Sequence, residues 1–165
     1  MGYGHEIRFR QAGRLVFGEA SNTEPPSPIV VRVQEALDRA GLEWQTPPDM
    51  RHQLWWKFMV NTGINQASAV LRAGYGTFQP EGDARELMTA LINEVLAIAN
   101  AEGVPLGATD VAAWHRVLDT MPPQGWTSMR QDVAAGRETE VESFAGRIVA
   151  LGKKHQIATP YNQVM

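Results

Sequence analysis

One stretch of this 165-residue chain combines residue types that can do chemistry with a spacing that lets them act together. It reads Leu54-Trp55-Trp56-Lys57-Phe58-Met59-Val60-Asn61-Thr62-Gly63-Ile64-Asn65. Lys57, Asn61 and Asn65 recur at every fourth position. On a helix that runs through Gly63 they share one face, drifting only ~40° per step. The neighbours of Lys57 are mostly apolar, which places its ammonium against a partly buried wall. Burial disfavours the charged form of a lysine, and a lysine poised nearer neutrality can act as a general acid. The two asparagines beneath it offer donors and acceptors to a polar ligand. The same pattern suits a snorkelling lysine above two asparagines in a helix–helix contact, and spacing leaves both readings open.

Two further positions bear on this stripe. Ser128 heads Ser128-Met129-Arg130-Gln131 and reads as a helix N-cap with Gln131 as its partner, or as a donor to a carboxylate at a helix N-terminus. Glu140 reads as a first-turn carboxylate favoured by the helix dipole, or as an acidic neighbour that keeps Lys57 protonated. Other chemistries find no support. The chain has no cysteine, which excludes disulfides and thiol catalysis. His5, His52, His115 and His155 lack metal-ligand spacing, so no metal site is expected. Gly2-Tyr3-Gly4 and Gly74-Tyr75-Gly76 lack the third glycine of a dinucleotide fingerprint, and no P-loop occurs. Fifteen Lys and Arg against eighteen Asp and Glu leave a net charge of -3, with no basic excess to neutralise phosphates, so no nucleic-acid partner is expected. Apolar runs are too short to span a bilayer and the first residues lack a signal-peptide core, so a cytoplasmic protein with no membrane partner is expected.

The elements that must position these residues are mostly helices. His5–Arg10 and Arg14–Gly18 alternate like the arms of a β-hairpin around Gln11-Ala12-Gly13. A lone hairpin is marginal in water, so this one reads as the end of a sheet that lies outside the chain. Ser27-Pro28 then caps a helix that Gly41 stops. Asp49 caps another from about Met50, with Gly63 expected to weaken it. Asp83-Ala84-Arg85-Glu86 has the form of a capping box ahead of the strongest amphipathic run, Leu87 to Ala99, which Gly103 ends. A helix from Thr109 closes at Pro122-Pro123. Ser128 and Thr139 open two further capping boxes, and Thr159-Pro160 starts a last helix. The expected division is a hairpin over 1–22 and a helical domain over 23–165.

Together these motifs resemble the C-terminal domain of ketopantoate reductases (2-dehydropantoate 2-reductases). The matching segments are Gly13-Arg14-Leu15-Val16-Phe17-Gly18-Glu19, Trp56-Lys57 with Asn61 and Asn65, Ser128-Met129-Arg130-Gln131-Asp132, Gly136-Arg137-Glu138-Thr139-Glu140, and Thr159-Pro160-Tyr161-Asn162. The resemblance implies an all-α, multi-helical domain like that of 6-phosphogluconate dehydrogenase, preceded by a β-hairpin left from a Rossmann domain. It implies the catalytic part of an NADPH-dependent 2-oxo-acid reductase of pantothenate biosynthesis, with NADPH bound mainly by a domain absent from this chain and isolated activity therefore not expected. By the same resemblance Lys57 is the catalytic proton donor and Glu140 the active-site glutamate. Asn61, Asn65 and Ser128 bind the substrate, and a homodimer is expected. Where the family usually carries a Leu-Thr-Ala-like run after Asn65, this chain has Gln66-Ala67-Ser68-Ala69. The other reading is a helical dimerisation module that keeps the family's packing without catalysis.

Overall fold

The computed structural model describes residues 13–165, together with the backbone of two short strands, β1 (Gly2–Tyr3) and β2 (Glu6–Ile7). Two compact units are present, Met1–Gln53 and Leu54–Met165.

In the first unit, β3 (Leu15–Val16) lies parallel to β4 (Trp44–Gln45), and α1 (Pro28–Arg39) forms the crossover between them. Parallel strands need such a connection, whereas a hairpin does not. The expected hairpin is therefore corrected: β2 is antiparallel to β1, and β3 takes a partner from beyond α1. The turn and most of the first arm, residues 8–12, lie outside the described residues. What draws β3 to β4 is visible locally. Leu15 N–H donates to Glu43 O at 2.9 Å and Phe17 N–H to Gln45 O at 3.1 Å. The Phe17 ring meets Trp44 edge-on at 6.1 Å, and the Trp44 indole donates to Asp38 on α1 at 2.7 Å. Ser27 caps α1 as its sequence suggests, and Gly41 follows the helix at φ +65°.

The second unit is helical. The helix that begins as α2 (Met50–Val60) does not weaken at Gly63 but widens into a π-turn over Asn61–Asn65 before resuming as α3 (Gln66–Val70). Gly63 explains the placement of this turn. A Cβ there would stand 2.6 Å from Ile92 Cγ1, so only glycine lets the π-turn press against α4 (Asp83–Ala101). Along α4, Met88, Leu91, Ile92, Val95, Ile98 and Ala99 are all fully buried, the three-and-four spacing of one helix face. They meet Met59, Ile64, Phe78, Trp114, Leu118, Ile148 and Leu151 in one apolar core.

Four helices complete the unit: α5 (Ala108–Thr120), α6 (Ser128–Ala134), α7 (Arg147–His155) and α8 (Pro160–Gln163). A second π-turn, Glu142–Gly146, leads into α7. Two expected caps move by one residue. Gly82 rather than Asp83 precedes α4, without a side-chain cap, and Thr127 rather than Ser128 caps α6. Thr127 wins because its hydroxyl is buried and reaches Arg130 N–H at 3.1 Å, whereas Ser128 is exposed. Among the described residues no helix is long and apolar enough to cross a membrane.

Candidate functional site

Lys57 stands on α2, one turn ahead of the first π-turn. The apolar wall expected around it is not found: residue 57 is exposed, because Trp55, Phe58 and Met59 turn toward the core on other sides of the helix. Asn61 opens the π-turn and is half-buried, and Asn65 closes it at 6% exposure. A π-turn is wider than an α-turn and brings residues four apart closer to one line, so Asn61 and Asn65 share a face more nearly than an unbroken α-helix would allow. Asn65 is largely buried, but its carboxamide atoms are not among those sealed from solvent without a partner, and they take no hydrogen bond among the described residues. An amide that is neither paired nor sealed keeps its donors and acceptor available to a ligand. The sealed unpaired polar atom of this π-turn is Thr62 Oγ1.

Its neighbour Gln66 is the opposite. At 1% exposure it uses both ends of its carboxamide. Nε2 donates to Thr62 O at 2.7 Å and to Asn162 Oδ1 at 3.1 Å, and Oε1 accepts from Ala145 N–H at 3.1 Å. One side chain thus joins the two π-turns and α8. The network extends to Glu94 on α4, 8% exposed, whose carboxylate accepts from Tyr161 N–H at 2.7 Å, Asn162 N–H at 2.9 Å and Asn162 Nδ2 at 2.7 Å. A second tether is made by Ser68, whose hydroxyl lies 2.7 Å from that of Thr127 and donates to Asn65 O at 3.0 Å. It fixes the start of α6, and with it Ser128, against α3.

These contacts bring the three candidate segments together as backbone elements. α6 packs against α3 and the first π-turn, and the second π-turn, which begins two residues after Glu140, packs against the first. The candidate side chains themselves remain separate. Ser128 and Glu140 are exposed, and no hydrogen bond or ion pair joins any two of Lys57, Asn61, Asn65, Ser128 and Glu140. None of the five lines the apolar cavity bordered by Gln66, Met129, Thr139 and Val141. Gln66, Ser68, Thr127, Asn162 and Glu94 escaped the sequence reading as positioning residues. The signal available for them was the Gln66-Ala67-Ser68 departure, two polar residues on a helix that is otherwise apolar.

The region from residue 49 to 165 matches the family model described as ketopantoate reductase PanE/ApbA C terminal. The chain belongs to this family. It is 31% identical over 131 residues to the 2-dehydropantoate 2-reductase of Halobacterium salinarum, covering 79% of this chain and 43% of that protein. It is also 31% identical over 136 residues to the 2-dehydropantoate 2-reductase of Pyrobaculum aerophilum, covering 82% and 48%. Among solved structures, the PanE/ApbA family ketopantoate reductase of Ralstonia eutropha superposes with a TM-score of 0.79 at 30% identity, covering 95% of this chain and 50% of that one. A D-mandelate dehydrogenase solved with NADH and anilino(oxo)acetate shares the fold, with a TM-score of 0.83 at 21% identity over 99% of this chain and 67% of that one. The chain spans about half the length or less of the 2-dehydropantoate 2-reductases named here. These likenesses bear out the mostly helical fold expected of the ketopantoate reductase C-terminal domain.

Proposed function

We propose that this chain supplies the substrate-binding and proton-donating face of an NADPH-dependent 2-oxo-acid reductase, with 2-dehydropantoate as its substrate. The observation that carries the reading is the pair Asn61 and Asn65 at the two ends of one π-turn, about one and two turns beyond Lys57, with the Asn65 carboxamide unpaired among the described residues and not sealed from solvent. In the reaction NADPH, bound mainly by a domain outside this chain, supplies hydride. This chain's own strand-to-helix turn does not suit a dinucleotide phosphate. A Cβ at Gly18 would stand 2.3 Å from the Asn22 carboxamide, which fills the approach. What the chain contributes is charge management. Reduction of a ketone builds negative charge on its oxygen, and a donor preorganised there lowers the barrier. The Lys57 ammonium hydrogen-bonds that oxygen and transfers its proton as the charge develops. Asn61 and Asn65 hold the substrate's polar groups, Ser128 donates to its carboxylate, and Glu140 is the active-site carboxylate. A homodimer fits the same reading, and a related ketopantoate reductase of Staphylococcus aureus is described as dimeric.

The test is Lys57→Ala in a reductase that carries this segment behind its nucleotide-binding half. NADPH-dependent reduction of 2-dehydropantoate should fall roughly 10²–10⁴-fold in kcat, with folding unchanged by circular dichroism. Near-normal turnover removes Lys57 from the mechanism. The isolated chain is expected to be inactive, and tight saturable quenching of its tryptophans by NADPH would contradict the assignment of the cofactor to another domain.

A further inference from the structure

The second unit holds a cavity of about 250 Å³ that none of the proposed reductase residues lines. Its walls are Leu54, Trp55 and Phe58 from α2 and Leu151 from α7, and its polar rim is Arg147 and Glu102. Three observations bear on what it can hold. Its apolar wall is not closed off: Leu54 is 62% exposed, an unusual state for a large aliphatic side chain beside two aromatic ones. The aromatic wall is made of rings packed on one another. Trp55 and Phe58 stand edge to face at 5.6 Å and 84°, and Phe58 is backed by Phe144 at 6.1 Å. The two rim groups differ in how they are engaged. Glu102 is bridged by Lys154 at 2.6 Å and also contacts His155. The Arg147 guanidinium is exposed and has neither an ion pair nor a hydrogen bond among the described residues. Glu102 is thus engaged by other residues, and the guanidinium is the rim group with donors to spare.

We propose that this cavity is a binding site for a small aromatic carboxylate, with the ring against Trp55, Phe58 and Leu151 and the carboxylate on Arg147. The size agrees: about 250 Å³ in an open groove accommodates one ring with a short chain reaching the rim. Ring edges and faces at the wall favour an aromatic body over an aliphatic one. The fork of donors on Arg147 matches the two oxygens of a carboxylate. The site stands apart from the reductase face, since it uses neither Lys57 nor either asparagine.

The test is a titration of the isotope-labelled chain with 3-phenylpropionate, followed by NMR at the Trp55 indole N–H and the Arg147 Nε–H. Saturable shifts at both are expected. Binding should be about tenfold or more weaker for the uncharged 3-phenylpropanamide, and similarly weaker for Arg147→Gln, which changes an exposed side chain and leaves the core intact. Asn65→Ala should leave the titration unchanged, which separates this site from the reductase face. Absence of saturation, equal binding of acid and amide, or shifts confined to Asn61 and Asn65 would each overturn the proposal. So would shifts at Trp55 that follow protein concentration alone, because a second copy of the chain would then be the occupant.

Discussion

Replacing Gln66 by leucine tests whether a single carboxamide holds the two π-turns in register. Leucine has nearly the same volume, so the cavity term is small and the change isolates the hydrogen bonds. Three are lost at a residue 1% exposed, with partners Thr62 O, Asn162 Oδ1 and Ala145 N–H. Each intact bond contributes about 1 kcal/mol net, and a buried group left without its partner costs about 1–3 kcal/mol. The Ala145 amide is the most telling of the three, because its acceptor comes from a side chain 79 positions away. Contributions in one network are not additive, so the expected loss is about 3 kcal/mol, within roughly 2–5. Urea unfolding followed by tryptophan fluorescence measures it. Hydrogen exchange at Ala145 supplies the second readout, since loss of its acceptor should raise its exchange more than that of amides in α4. Gln66→Glu should be worse at neutral pH, because it turns a donor into an oxygen facing Thr62 O and Asn162 Oδ1. A Gln66→Leu variant within about 1 kcal/mol of the parent, with Ala145 still protected, would refute the idea that this network sets the register.

Three further outcomes follow from neighbouring geometry. Thr127→Ala should cost about 1–2 kcal/mol, through loss of the α6 cap and of the bond to Ser68, whereas Ser128→Ala should stay within about 0.5 kcal/mol; parallel urea melts compare them. Gly63→Ala should destabilise by about 1–3 kcal/mol, because the added methyl meets Ile92 Cγ1 at 2.6 Å and the helix preference for alanine returns only about 0.5–1; a thermal midpoint equal to the parent's contradicts the packing account. Glu102 is held down to about 2 from an ordinary 4.5 by its hydrogen bond to Lys154 and then by His155. Its folded form therefore binds its proton less readily than its unfolded form, so its stabilisation is complete above pH 4.5 and is lost as pH falls toward about 2. Thermal midpoints of the parent and of Glu102→Gln should converge across that window and separate above it.

Much of the helical frame was legible in the residues. The Leu87–Ala99 periodicity, the Ser27-Pro28 start and the Gly103 stop each express a local preference that tertiary packing did not override. The misreadings share a cause. A π-turn has no period of its own in the sequence, so Gly63 read as a weak point in an α-helix; its role is set by Ile92, twenty-nine positions away. Thr127 lost to Ser128 on paper because choosing between adjacent hydroxyls depends on which is buried, and Ser68 decides that. The pattern over Arg14–Gly18 marks a strand, observed at Leu15–Val16, but not its partner, since two-residue strands carry too few side chains to specify register. At the candidate site the residue types were legible and their exposure was not. Apolar neighbours in sequence do not become neighbours in space when the helix turns them inward, and Lys57 shows this most clearly.

Asn65 and Gln66 are consecutive and chemically alike, and the comparison between them is the strongest argument about function that the fold provides. Both residues are largely buried, at 6% and 1% exposure, but only the Gln66 carboxamide is locked inside a polar network. Gln66 has three partners and Asn65 has none among the described residues. If Asn65 served stability, replacing it with leucine would cost stability; an amide that makes no internal hydrogen bond and is not sealed from solvent has little to lose. Asn65→Leu is therefore expected to hold the urea midpoint of the chain while abolishing productive substrate binding in a reductase that carries it. The opposite pattern, a large loss of stability with substrate KM and kcat unchanged in the surviving folded fraction, would mean that Asn65 is a packing residue. The polar group on which the proposed function rests would then have to be sought elsewhere.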